Sequence, residues 1–232
     1  MEGEKIENFI PHLSFDCVIF GFNGTALKIL ILEYHDTKLF ALPGGFVGKN
    51  QSLQDAVQRG VKERTGLDQV YLDQFQVFGS LERSDSEAMK QILQASNEDL
   101  EKNKWMLDRF ITVGYYALIN YEEVTLVPDR FSDSITWYAL DELPALMMDH
   151  NQIVEKALTT LRRNIDEKIV GMNLLPKRFT MKQLQNVYEA ILSQPLRRTT
   201  FQRKMLSMDI LQRHEKLFTG TAHKAPYLYS FK

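Results

Sequence analysis

One cysteine, Cys17, is all the chain holds in 232 residues. An internal disulfide framework is thereby excluded, and a reducing compartment, the cytoplasm, is expected. No apolar run reaches the ~20 residues that cross a bilayer, so no membrane partner is expected. The opening residues MEGEKIENFIPHLSF start acidic and lack an uninterrupted apolar stretch, so they do not read as a signal peptide. Internal repeats and low-complexity segments are missing too. What is present, 44% hydrophobic and 25% charged residues, is the composition of a globular protein of one large or two ordinary domains.

The net charge of −2 hides a segregation. From Gly171 to Lys232 there are eleven Lys and Arg against three acids, a balance of +8, which leaves −10 for residues 1–170. Such a split suggests two modules, the basic one facing a polyanion such as double-stranded DNA, or else a solvated basic face on a tail domain.

Residues 14–22 and 27–33 read as short strands around Asn23-Gly24, a dipeptide that favours a hairpin. Pro43-Gly44-Gly45 breaks regular structure. A helix is expected over 52–65, with Ser52 as N-cap, Leu53, Ala56, Val57 and Val61 at helical spacing, and Gly66 as terminator. Strands follow at 69–79, 109–119 and 134–139, and a helix from about 150 to 164 closes the first module. Residues 84–108 look inserted. Ser84 or Ser86 can cap one helix there, and Ser96 with Asp99 resembles a second capping signal. This segment either packs on the domain as a helical loop or acts as a lid or dimer contact.

Beyond Asn173 a helix is expected at 181–192 with Thr180 as N-cap, then a break, a second helix near 199–208 and a hairpin to the end. Helix, turn, helix and hairpin outline a winged helix. Its second helix would meet base edges through Arg197, Arg198, Thr199, Thr200, Gln202, Arg203 and Lys204, residue types suited to bases and phosphates. Lys177, Arg178 and Lys182 stand where backbone phosphates would lie, and Arg213, Lys216 and Lys224 would stud the wing. Phe201, Met205 and Leu206 recur at core spacing.

Around the first helix a fixed spacing stands out. Gly45, five residues, Gln51, seven residues, then Arg59 through Leu67 resembles the Nudix box, preceded by Ala41-Leu42-Pro43-Gly44. Gly45, Arg59, Val61, Glu63, Gly66 and Leu67 keep the pattern; Gln51, Gly60 and Arg64 stand where the resemblance expects glutamates. Positions 60, 63 and 64 share one helix face. Carboxylates there would hold Mg²⁺ against a diphosphate and activate water. Only Glu63 remains, and at an effective dielectric of about 20 a unit charge pair at 4 Å is worth about 4 kcal/mol, so Arg64 in the metal's place repels it by roughly twice that. The guanidinium can instead bind an anion or pair with Glu63, and Arg59 with Glu63 can form a structural ion pair. Gly60 costs the helix about 1 kcal/mol relative to Ala. No catalytic residue, metal or cofactor is expected. His150, after Asp149, reads as a capping or packing residue, and Cys17 as core.

Box and basic tail together resemble the Nudix-related transcriptional regulators, through Asp16 to Phe22, Ala41 to Val47, Tyr115 to Leu118, Asp149-His150, Asn173 to Pro176, Phe179-Thr180, Leu184-Gln185, Tyr188 to Ile191 and Phe201-x-Arg203-Lys204-Met205. The resemblance implies an α+β chain, a Nudix-like α/β/α sandwich over 1–165 followed by a winged helix-turn-helix over 166–232. It also implies a homodimer on a palindromic operator. A small effector, a pentose or an ADP-ribose-type molecule, would sit in a pocket holding Gly45, Gln51, Arg59, Glu63 and Arg64 and release the DNA. A Nudix-type hydrolase of ADP-ribose or a sugar nucleotide is the competing reading. The 84–108 segment departs from the family pattern near the ligand cleft.

Overall fold

In a computed structural model, residues 6–168, 174–217 and 225–232 are described. Strands β1 (Phe9–Phe22), β2 (Leu27–Tyr34), β3 (Phe40–Ala41), β4 (Gly44–Gly48), β5 (Tyr71–Phe78), β6 (Ile111–Asn120) and β7 (Ser132–Ala139) form one mixed sheet. Its spine runs β3-β2-β1-β6-β5, with β4 pairing β1 and β7 pairing β2. The β1–β6 pair is parallel, from Leu13 opposite Ile111 to Phe22 opposite Asn120. Such a pair is covered on both faces, and β1 accordingly buries Asp16 to Phe22 without a break.

Alternation then divides the core. Cys17 and Ile19 of β1, with Leu30 and Leu32 of β2, pack against Ala56, Val57 and Val61 of helix α1 (Leu53–Thr65). Val18, Phe20, Ile29 and Ile31 face the other way, onto Ile153, Val154, Ala157, Leu161 and Ile165 of helix α3 (His150–Lys168). A sheet between two helical layers follows directly from period 2 on the strands and period 3.6 on the helices.

α1 starts and stops as expected. Ser52 accepts the Asp55 N–H at 3.1 Å, and Gly66 adopts φ 75°, where a side chain would be strained. β1 begins earlier than expected, at Phe9, and absorbs Pro11 at an irregularity between Phe9 and Ser14 where the strand has no ladder bond to lose. α3 runs past the expected end to Lys168, carried by the buried Leu161 and Ile165.

The 84–108 segment corrects two expectations. Helix α2 (Ser86–Ala95) is capped by Asp85, whose Oδ1 accepts the Ala88 N–H at 2.9 Å, and by neither neighbouring serine. The second capping signal starts no α-helix: Ser96 ends α2, Asn97 turns with φ 55°, and Asp99 receives the Glu101 and Lys102 N–H groups before a single 3-10 turn at Lys104–Leu107. Trp105, Met106 and Leu93 are buried together against Phe9, Phe46 and Phe110.

The C-terminal part holds helices α4 (Met181–Leu192) and α5 (Arg198–Ser207) and a small sheet ordered β8 (Phe179–Thr180), β10 (Tyr227–Phe231), β9 (Leu211–Lys216). Thr180 and Gln183 form a reciprocal capping box at the start of α4. The expected wing residue Lys224 lies outside the described residues. Leu184, Tyr188, Ile191, Phe201 and Met205 belong to the same apolar cluster as the inner face of α3. The two parts therefore share a core.

Candidate functional site: a cavity over the box helix, and a basic helix face

A cavity of about 460 Å³ opens between β1, β4, α1, the 84–110 segment and residues 127–131. That is within the ~300–1,000 Å³ of small-molecule sites. Gly45, Arg59, Gly60, Glu63 and Arg64 all line it. Gln51 does not; its amide folds back so closely that a Cβ on Gly48 would stand 2.8 Å from Oε1.

Gly60 has a physical reason that its sequence neighbours do not reveal. The ring of Phe15, 2% exposed, lies so close that a Cβ on Gly60 would be 2.7 Å from Cζ and one on Gly45 would be 2.9 Å from the same atom. The position that the box reserves for a glutamate is filled by an aromatic ring. On either side of it, Arg59 and Glu63 form the expected pair at 3.4 Å, half exposed. Arg64, with its side chain only 11% exposed, donates to Asp129 Oδ2 at 3.0 Å, to Glu63 at 3.3 Å and to the Gly60 carbonyl at 3.3 Å. Its Nε–H is buried without a hydrogen-bond partner. Among the described residues no group of three or more His, Cys, Asp or Glu is arranged to hold a metal ion. The donor set at the box face is thus one exposed carboxylate beside a guanidinium, and it does not fit the divalent cation the fold's box would place there.

The floor of the cavity carries a charge cluster that composition and spacing did not disclose. Arg83, 4% exposed in its side chain, donates Nε–H to Asp149 Oδ2 at 3.1 Å, an Nη2 proton to Asp16 Oδ2 at 3.2 Å and an Nη1 proton to the Phe110 carbonyl at 3.1 Å. Buried charge is tolerated only when paired and hydrogen-bonded, and here both conditions are met. His150 begins α3 and is buried. Its Nδ1 accepts the Leu42 N–H at 3.1 Å, leaving the proton on Nε2, which faces Asp16 Oδ1 at 3.7 Å. Burial, helped by the Arg83 charge, lowers its pKa against the pull of Asp16 and Asp149. The capping-or-packing expectation for His150 fits this position. Arg83 sits in a short 3-10 turn, Leu81–Arg83, with no periodic signature, so only three-dimensional proximity to Asp16 and Asp149 reveals it.

Walls of Phe9, Phe46 and Phe110 complete the cavity together with Met89, Ile92, Met106 and Leu107 of the 84–108 segment. That segment therefore lines the cavity as well as packing on the domain.

On the C-terminal part, Arg197, Arg198, Thr199, Thr200 and Arg203 are exposed and Gln202 half-buried along α5. Arg197, Arg198, Arg203 and Lys177 have no ion pair or side-chain hydrogen bond among the described residues. Other expected contacts are spoken for within the fold. Lys204 Nζ donates to both Asp166 oxygens at 2.7 and 2.6 Å, Arg178 pairs with Glu215, and Lys182 reaches Glu189 at 3.6 Å. Lys216 and Arg213 lie over the Tyr227 ring at 5.3 and 4.7 Å. The break between α4 and α5 is braced by Glu189, which accepts the Leu196 N–H at 2.8 Å and the Gln185 amide at 2.9 Å. Tyr188 and Phe201 meet edge-to-face at 5.0 Å beneath it.

A Nudix sandwich whose box helix carries Gly60 and Arg64 over a cavity, followed by a winged helix, defines a class. A family model described as NUDIX domain matches residues 10–158, and one described as NrtR DNA-binding winged helix domain matches residues 171–231. The chain belongs to the Nudix family, and within it to the Nudix-related transcriptional regulators. Over 229 residues it is 28% identical to the ADPR responsive transcriptional repressor NtrR of Acinetobacter baylyi, covering 95% of this chain and 82% of that one. Shewanella oneidensis NrtR superposes with a TM-score of 0.72 at 25% identity, over 95% of this chain and 94% of its own. The same protein complexed with a 27mer DNA gives a TM-score of 0.71 at 25% identity, over 95% and 93%. Among the described residues no helix is long and apolar enough to cross a membrane.

Proposed function

We propose that this chain is a transcriptional repressor that binds a palindromic operator as a homodimer and releases it when an ADP-ribose-type effector fills the cavity. The observation that carries the reading is the cavity itself, a space in which arginines, carboxylates and aromatic rings converge while Phe15 fills the place of the box glutamate at position 60. Arg64, Arg59 and Arg83 suit a diphosphate. Asp85, Asp108 and Asp129 suit sugar hydroxyls, and Phe46 and Phe110 suit a flat base. A bare pentose carries no anion to match the arginines, and the Acinetobacter relative is named for its response to ADPR. The effector unit in this reading is 1–165, and the DNA unit 166–232 presents Arg197, Arg198 and Arg203 to the groove. The box is catalytically silent, because Gly60 and Arg64 leave Glu63 without partners for a metal. The work is done in the cytoplasm, where the DNA is.

Gel shift of the full chain on DNA flanking its own gene, at moderate salt, tests the reading. Retardation of one fragment, reversed by ADP-ribose and not by arabinose, is expected, with the ADP-ribose recovered intact after incubation with Mg²⁺. Absence of sequence-specific retardation sinks the regulator; Mg²⁺-dependent turnover lost on Glu63→Gln would make the chain a hydrolase instead.

A further inference from the structure

Helix α3 touches both the cavity and the DNA-facing part. At its start His150 lines the cavity, and the preceding Asp149 holds Arg83, which lines it too. Sixteen residues after His150, about 24 Å along the axis at 1.5 Å per residue, Asp166 accepts Lys204 of α5 through both carboxylate oxygens and the Tyr188 hydroxyl of α4 at 3.2 Å. Arg162, four residues earlier and so on the same face, donates Nε–H to the Ile191 carbonyl and an Nη2 proton to Ser193 Oγ, both at 2.7 Å. Ser193 is the left-handed residue, φ 53°, that ends α4. Between these ends the inner face of α3 is buried in the cluster it shares with α4 and α5. Packed interiors of this kind do not deform gradually, so displacement at one end is carried to the other.

We propose that α3 is the strut that reports cavity occupancy to the recognition helix, with Arg83–Asp149 as its ligand end and Arg162–Asp166 as its DNA end. The proposal rests on the effector reading above. A diphosphate entering the cavity meets the Arg83 guanidinium and competes with Asp149 for its Nε–H. The first turn of α3 then loses one of its two polar holds, the other being the Leu42 N–H bond to His150, and the helix shifts against the sheet. Because Arg162 grips the end of α4 and Asp166 grips α5, the shift re-aims Arg197, Arg198 and Arg203. Lys204 and Asp166 are each nearly half exposed, so their pair adds little stability and its consequence is orientation. Asp166 and Arg162 are positioning residues; neither lines the cavity.

The test uses the full chain and measures its affinity for the retarded fragment with and without saturating ADP-ribose, the ratio being the coupling. Typical couplings are about 5–150-fold. Asp166→Ala and Arg162→Gln are expected to keep ADP-ribose affinity, read by calorimetry, and free-state DNA affinity within about twofold while the coupling falls about tenfold. Asp166→Glu restores it. Hydrogen exchange adds a second readout: ADP-ribose alters amide exchange over 184–206 in the parent and not in Asp166→Ala. If Arg162→Gln fails to fold, Asp166→Ala, on a half-exposed carboxylate, decides alone. Parental coupling that survives Asp166→Ala overturns the strut while leaving the effector reading intact. A parent chain that binds DNA indifferently to ADP-ribose overturns both.

Discussion

Arginines in the cavity and arginines on α5 carry the same charge in opposite surroundings. Arg83 and Arg64 are 4% and 11% exposed and are held by Asp16, Asp149 and Asp129. Arg197, Arg198 and Arg203 stand in solvent with no partner among the described residues. A buried guanidinium is fixed by its carboxylates, so it supplies shape and selectivity and gives way only to an anion that replaces what it loses. An exposed one is free to displace counterions from a polyanion, so it supplies affinity with a steep salt dependence. On the proposed function, one chain would use the same side chain as a gauge in one place and as an anchor in the other.

Removing Arg83 should produce the largest effect. Arg83→Ala leaves Asp16 and Asp149 buried without a counter-charge, a loss of about 3–5 kcal/mol. Thermal unfolding should begin roughly 10 °C lower, at about 2–4 °C per kcal/mol for a chain of this size. A variant that melts with the parent would show that the cluster is hydrated and would break the distinction between the two arginine sets. Gly60→Glu comes next. It restores the box carboxylate in sequence but drives a Cβ to within 2.7 Å of Phe15, so overpacking should cost about 1–3 kcal/mol. Adding Phe15→Ala should recover part of that stability, and equal stability of parent and Gly60→Glu would remove the ring as the reason for the glycine.

How much of this could be read beforehand follows from the range of each interaction. The boundaries of α1 and the capping by Ser52 and Thr180 are local, set within four or five residues, and were legible. So was the frame of the box, because its spacing is carried on one loop and one helix. The content of the site was only half legible. Arg64 and Glu63 were singled out, but Asp129 lies 65 residues away in a loop, and Arg83 meets Asp149 and Asp16 across 66 and 67 residues. No periodicity encodes such meetings. Gln51 was placed in the pocket by its position in the motif, which fixes backbone spacing and not the direction of a side chain. On α5 the charges were visible, but the withdrawal of Lys204 by Asp166 depends on α3 running four residues beyond its expected end.

That withdrawal gives a smaller, sharper test of the exposed set. Arg203→Ala should leave thermal stability within about 0.5 kcal/mol of the parent, as surface substitutions do. DNA affinity should fall, and the slope of log affinity against log salt should drop by about one unit. Lys204→Ala, whose ammonium is already engaged, should change that slope less than Arg203→Ala does. Equal slopes for the two variants would mean that the Asp166 pair opens on DNA and that Lys204 belongs with the anchors.

The smallest effect expected is a pH dependence of opposite sign at two histidines. His150 is buried in the cluster with a pKa below its ordinary 6.5, chiefly through burial. The unfolded chain therefore takes up its proton first, so stability is full above about pH 6.5 and falls as pH drops toward the depressed folded value. His35 on the surface has its pKa raised, chiefly by its hydrogen bond with Asp133. Its contribution is full below about pH 6.5 and is lost as pH rises through the folded value. The groups facing His150 are Asp16, Asp149 and Arg83, the two carboxylates both paired with the arginine, whereas His35 and Asp133 are 32% and 52% exposed and screened by salt. Denaturant unfolding from pH 5 to 8 should therefore flatten on the acid side in His150→Gln, with or without salt. His35→Gln should flatten it on the alkaline side only at low salt. If salt erased the His150 slope as well, the cluster would be solvent-reached, and the contrast between the cavity and the basic helix would reduce to one of degree.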